Sequence, residues 1–239
     1  MMHSLPDGYR AIVLGASGAI GGAFVRGLRA DPRCAEVIGL HRGSEPRIEL
    51  DDEPTLAAAS AALRARSPFH LIVNATGALH LPDADRRPTL PPEKRLADLD
   101  PHVLASALRI NAIGPALLIK HFHDLLPVRD RGLFASLSAR VGSIGDNHKG
   151  GWYAYRASKA AQNMLLRTAA IEIARRRPAA VVVALHPGTV RSPLSERVVG
   201  GAEALDPDVS VARLLAVLDR LEPEATGSFW AHDGAQVPW

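Results

Sequence analysis

Tyr155 and Lys159 stand four residues apart in the stretch Gly151–Arg177, "GWYAYRASKAAQNMLLRTAAIEIARRR". At that spacing on a helix two side chains lie one turn apart, about 6 Å between Cβ atoms. A free phenol titrates near pH ~10, and an ammonium beside it favours the phenolate. The pair is therefore expected to be an acid–base couple brought nearer to neutrality. That chemistry requires Tyr155 to sit in the first helical turn, facing a cleft and not the core.

A second constellation lies near the start. "VLGASGAIGGA" joins an apolar run to a helical pattern. Gly15 permits a tight turn and Gly21 permits close approach of helix to strand. Free N–H groups at a helix start, at its positive dipole end, favour a pyrophosphate. Gly15, Ser17, Gly18, Ala19, Ile20 and Gly21 are the expected cofactor contacts of this turn. In "GLHRGS", Arg42 stands where an acid would bond the ribose hydroxyls of NAD. A guanidinium suits a 2′-phosphate instead, with Ser17 as a second donor, so NADP(H) is expected over NAD(H).

These residues need elements to hold them. The chain has 239 residues, 47% of them hydrophobic, with a formal net charge of +3. That length and composition suit a single domain over residues 1–239 with a shared core. The arginines are scattered and not interleaved with aromatics, which argues against nucleic acid. Cys34 is the single cysteine, so it has no internal disulfide partner. His121 and His123 point different ways on a helix, and no metal site is expected. With no apolar signal core and no long apolar span read from the sequence, a cytoplasmic protein away from membranes is expected.

Apolar runs alternate with helical patterns from end to end. "YRAIVLG", "EVIGL", "RIEL", "FHLIVNA", "GLFASL", "AAVVVALH" and "GSFW" read as strands. Helical patterns fall at 18–30, 54–66, 101–126, around Tyr155 and near 209–221. Strands that are apolar throughout are buried on both faces, and alternation with helices implies parallel pairing. The fold class is α/β: a Rossmann-type, doubly wound parallel sheet of about seven strands, with helices on both faces. Ligands bind beyond the C-terminal strand ends of such sheets, where these motifs lie.

Taken in order, the motifs resemble the short-chain dehydrogenase/reductase family, in particular its carbonyl-reductase-type and C-factor-type members. The match covers almost the whole chain. Gly15-Ala16-Ser17 through Gly21 resembles its glycine turn, and Asn74-Ala75-Thr76-Gly77 its Asn-Asn-Ala-Gly signature. Asn111 in "RINAIGP" resembles its catalytic-helix asparagine. Tyr155-Arg156-Ala157-Ser158-Lys159 matches its Tyr-x-x-x-Lys motif. "HPGTVRSPL" is similar to the segment that holds the nicotinamide end.

There are two departures. The family's middle glycine falls on Ala19, with Gly18 one place earlier. In Ser138-Ala139-Arg140-Val141-Gly142, Ala139 takes the place of the catalytic serine. Ser138 or Ser143 must then substitute, with Ser138 ranked first, or the site works without that hydroxyl.

The resemblance implies the roles. Hydride passes between the nicotinamide and a carbonyl or alcohol carbon, and Tyr155 moves the proton. Lys159 holds the ribose hydroxyls and tunes Tyr155, and Asn111 binds a water leading to solvent. Asn74, Ala75 and Thr76 shape the cofactor pocket. Pro187, Gly188 and Val190 form a loop over the cofactor, where Thr189 or Ser192 bonds the carboxamide. Glu49, Asp51 or Asp52 takes the place beside the adenine. The substrate side falls to residues 80–100 and 191–208, with Trp152 as a wall. The ending "FWAHDGAQVPW" is expected to dock on the body. A homodimer or homotetramer built on the helices carrying Asn111 and Tyr155 is one arrangement the family uses. The competing reading, kept open by Ala139, is a dinucleotide-binding regulator with weak or lost catalysis.

Overall fold

The computed structural model describes residues 1–79, 92–192 and 204–239. Its strands are β1 (Tyr9–Leu14), β2 (Cys34–Leu40), β3 (Leu71–Asn74), β4 (Gly132–Leu137), β5 (Ala180–His186) and β6 (Phe229–Ala231). They form one six-stranded sheet in the order β2-β1-β3-β4-β5-β6, with every neighbouring pair parallel. Successive residues of a strand face opposite sides. Ile12 and Leu14 enter one apolar cluster while Ala11 and Val13 enter the other. That double burial is why the strands read as unbroken apolar runs.

The helices are α1 (Ala19–Arg29), α2 (Glu53–Leu63), α3 (Pro101–Leu108), α4 (Gly114–Phe122), α5 (Tyr153–Arg176) and α6 (Pro207–Arg220). Phe24 and Leu28 of α1 pack with Val211, Leu214 and Leu218 of α6 on one face. Leu56 of α2, Leu118 and Phe122 of α4, and Leu166, Ala170 and Ile173 of α5 cover the other. Each such buried side chain contributes about 1.5–3 kcal/mol relative to exposure. The expected α/β fold with helices on both faces is therefore present.

Three local expectations change. "RIEL" forms no strand: Glu49 and Asp52 make an isolated antiparallel bridge beside the cis Glu45–Pro46 bond. The described sheet thus has six strands where about seven were expected. The helix expected over 101–126 is a helical run of changing pitch, with a π turn at Arg109–Ile113 between α3 and α4. Pro115 lacks the N–H that would close an ordinary turn onto the Asn111 carbonyl. This run, Pro101–Leu125, is also long and apolar enough by length and composition to cross a membrane, with a mean hydropathy of 1.4 over its best window. In the fold, the Leu118 and Phe122 side of that run lies on the sheet.

The chain reverses direction across the sheet between β1 and β3. A crevice outside the strand ends at such a reversal is the usual ligand position in sheets of this kind. The ending docks as expected. After β6 the chain turns back through a Trp230–Gln236 bridge, and the Trp239 ring stacks on Phe229 at 5.7 Å. The Trp239 carbonyl accepts from Gly145 N–H, in the loop that borders the crevice.

Candidate active site

The crevice is a cleft of about 630 Å³ over the C-terminal strand ends. Ile20, Thr76, Ala139, Tyr155, Lys159 and Gly188 share its wall. The glycine turn borders it through Ile20. Gly15 has φ +85°, and a Cβ there would lie 3.0 Å from the Ala75 carbonyl carbon. A Cβ on Gly21 would lie 2.1 Å from the Gly15 oxygen. Both positions therefore exclude any side chain. Helix α1 starts at Ala19 with Gly18 as its N-cap and no side-chain cap bond, so its first N–H groups are not taken up by a capping side chain. Ser17 and Gly18 are exposed beside it. Arg42 is exposed beyond β2, with no hydrogen bond or ion pair among the described residues. An anionic dinucleotide fits this cradle: glycines where a backbone must be approached, open amides, and a free guanidinium.

A buried polar chain links the turn after β3 to Lys159. Asn74 ends β3 fully buried; its Oδ1 accepts from Thr76 N–H at 3.0 Å and Thr76 Oγ1 at 2.6 Å. Its Nδ2 donates to Ser136 Oγ at 3.0 Å, and Ser136 also accepts from Gln162 Nε2 at 2.9 Å. Gln162 Oε1 in turn accepts from Lys159 Nζ at 2.8 Å, and Leu137 O accepts from the same amine at 3.2 Å. Asn74 thus braces the turn that carries Ala75 and Thr76 and does not itself line the cleft. Satisfied networks of this kind fix a single geometry, because an unpaired member would be costly in so dry a place.

Asn111 lies in the π turn, fully buried. Its Oδ1 accepts from Ala78 N–H at 2.8 Å, and its Nδ2 donates to Ala78 O at 2.8 Å and to Ser158 Oγ at 3.2 Å. It clamps the turn after β3 onto α5. Gly77 lies between them; a Cβ there would sit 3.2 Å from Asn111 Oδ1 and 3.3 Å from Lys159 Nζ. Gly142 serves similarly after β4, since its Cβ would lie 2.7 Å from that of Lys159.

The electrostatics of the pair differ from the expectation. Burial pushes the Tyr155 phenol up to about 12 and the Lys159 ammonium down to about 7. The amine lies 5.9 Å from the Tyr155 ring centroid and is bonded to Gln162 and Leu137, not to the phenol. Loss of water outweighs mutual attraction at that distance. The resting pair is a neutral phenol over an amine that titrates near neutrality.

Ser138, expected to replace the missing serine, is 5% exposed and donates to Asn163 Oδ1 at 2.6 Å. Its proton is committed to α5. Ser143 is buried and accepts from Asp146 N–H at 3.1 Å. Ser138 and Ala139 both border the cleft. Pro187 and Gly188 follow β5, with Gly188 at φ +78°, and Val190 bridges Leu205. Thr189 and Ser192 also reach the cleft wall. Asp51 pairs with Arg109 at 3.2 Å, and Glu49 and Asp52 form the isolated bridge. Trp152 borders the cleft with its ring 6.3 Å from that of Tyr155. Residues 80–91 and 193–203, to which most of the substrate side was assigned, lie outside the described residues.

Sequence reasoning missed three residues. Gln162 falls three places after Lys159 on the same helix face, a spacing that identifies it in retrospect. Glu93 lies buried against the start of α5: its carbonyl accepts from Trp152 N–H and its Oε2 from Ala154 N–H at 3.4 Å. It holds Trp152 at φ 54°, a left-handed conformation uncommon for a bulky residue. His186 ends β5 at the cleft wall. Neither Glu93 nor His186 carries a local sequence signal.

The family model for short chain dehydrogenase matches residues 48–201. The chain is 38% identical to the C-signal of Myxococcus xanthus over 148 residues, covering 60% of this chain and 83% of that protein. It is 31% identical to the short-chain dehydrogenase srdF of Neurospora crassa over 243 residues, covering 95% and 87%. The NADPH-bound carbonyl reductase from chicken fatty liver has the same fold, with a TM-score of 0.83, 23% identity, and coverage of 99% and 97%. This chain belongs to the short-chain dehydrogenase family, NAD(P)-dependent oxidoreductases acting on CH–OH and C=O groups.

Proposed function

We propose that the protein is an NADP(H)-dependent carbonyl reductase or alcohol dehydrogenase whose catalytic groups are Tyr155, Lys159 and Asn111. The observation that carries this reading is a half-buried phenol and a buried amine lining one cleft that the glycine turn borders through Ile20. Gly15, Ser17, Gly18, Ala19, Ile20 and Gly21 hold the pyrophosphate end, and Arg42 takes the 2′-phosphate. Ala75, Thr76, Pro187, Gly188 and Val190 enclose the nicotinamide end, with Asn74 acting through the turn it braces. When bound, the nicotinamide supplies the hydride to the carbonyl carbon, or takes it from the alcohol.

The chain's own part is the proton. A phenol held up to about 12 is fully protonated at neutral pH, which suits donation to a carbonyl oxygen in reduction. Lys159, held down to about 7, can gain or lose a proton near neutral pH, and its place beside the phenol makes it the group that restores the proton balance of the site. The Trp152 ring walls an apolar portion of the substrate. Replacing Tyr155 by Phe tests the reading: turnover of aldehydes, ketones and quinones should fall by about 10²–10⁴-fold while NADPH binding persists. A variant that kept most of the rate would reject the assignment.

The competing reading is a dinucleotide-binding regulator. Ala139 at the cleft and the Ser138 hydroxyl bound to Asn163 favour it. Tight NADPH binding with no turnover across the carbonyl panel is its signature.

A further inference from the structure

We propose that His186 supplies the hydrogen bond to the substrate oxygen that the residue at 139, being alanine, has no hydroxyl to make. The inference rests on the reductase reading of the same cleft. Three observations carry it. The register of β4 with β5 pairs Leu137 with Leu185, and Ser138 N–H donates to Leu185 O at 2.7 Å. His186 is therefore the next residue across from Ser138, one step from Ala139. Its side chain lines the cleft that Ala139, Tyr155 and Lys159 share.

The imidazole is also oriented. His186 Nδ1 is buried and has no hydrogen-bond partner. No described group bonds Nε2 either, and Nε2 is not among the buried, unpaired atoms, so it is the less enclosed nitrogen of a ring that borders the cleft. A buried N–H without an acceptor is the rarer and costlier defect; an unpaired lone pair is tolerated better. The proton of the neutral ring therefore belongs on Nε2, where it faces the cleft as a donor. Burial, the neighbouring His232 and Arg140 push His186 down to about 4, against a smaller opposing pull from Asp233, so the ring is neutral at working pH. A neutral donor aimed where negative charge develops acts as a serine hydroxyl does. The backbone fixes its place, since His186 O accepts from His232 N–H at 2.9 Å.

The test combines His186→Leu, which keeps bulk and removes the donor, with Ala139→Ser. With NADPH and a reducible aldehyde, His186→Leu should lower kcat/KM by about 10²-fold and leave NADPH affinity unchanged. Ala139→Ser should recover most of that loss in the His186→Leu background and raise kcat/KM by a much smaller factor in the parent. Long-range ¹⁵N–¹H spectra of the cofactor-free protein, with His186 assigned by its loss in the variant, should show a neutral Nε2–H tautomer near neutral pH. Unimpaired His186→Leu, equal gains from Ala139→Ser in both backgrounds, or an Nδ1–H ring would each overturn the inference. Tyr155→Phe run alongside separates the two readings: if it is inactive while His186→Leu is unimpaired, only the role of His186 falls.

Discussion

Replacing Lys159 by Met should make the cofactor-free protein more stable near pH 7 while destroying its activity. The amine is 3% exposed, and burial takes it from an ordinary 10.5 to about 7. Between those values the unfolded chain binds a proton that the folded one releases, so the folded state gains stability as pH rises from about 7 toward 10.5. At about 1.4 kcal/mol per pH unit, keeping the ammonium at neutral pH costs the fold ~4 kcal/mol. Met fills similar space without charge and escapes that cost. It also leaves Gln162 Oε1 without its 2.8 Å donor, a loss of about 1–2 kcal/mol. Leu137 O keeps a donor, Gln162 Nε2 at 3.0 Å. The net gain is ~2 kcal/mol near pH 7 and close to nothing near pH 9. Urea unfolding of both proteins without cofactor, from about pH 6 to pH 9, measures it. The window stops there because Tyr155, held up to about 12, adds a slope of opposite sign once free tyrosine ionises. A variant less stable than the parent near pH 7, or a difference constant with pH, would refute the reasoning.

Other outcomes follow from single contacts. Gly21→Ala places a Cβ 2.1 Å from the Gly15 oxygen, so the turn must open; NADPH affinity measured by fluorescence should fall at least ~10-fold, with lowered thermal stability. Arg42→Leu should weaken NADPH by about 10–100-fold and leave NADH nearly unchanged, narrowing the preference in kcat/KM. Equal losses for both cofactors would remove the 2′-phosphate role. Glu93→Ala frees the start of α5 and the left-handed Trp152; KM for bulky carbonyls should rise more than kcat falls, while Glu93→Gln, which can still accept from Ala154 N–H, should restore most of the difference.

The sequence alone determined the alternation of doubly apolar strands with helices, and so the parallel sheet, because burial on both faces leaves no polar alternation to read. It also determined the glycine turn and the Tyr155–Lys159 spacing, because steric exclusion at Gly15 and Gly21 and the pitch of a helix are local rules. "RIEL" misled because a four-residue polar–apolar alternation does not reveal whether a partner edge lies within reach.

Tertiary structure alone decided the electrostatic sign at the pair: the depth of Lys159 and its bonds to Gln162 and Leu137 come from strands far away in sequence. It also turned Ser138 onto Asn163 and brought His186 and Ala139 to one cleft. Hydrogen-bond partners and loss of water depend on what three-dimensional packing brings near. No spacing along the chain encodes that.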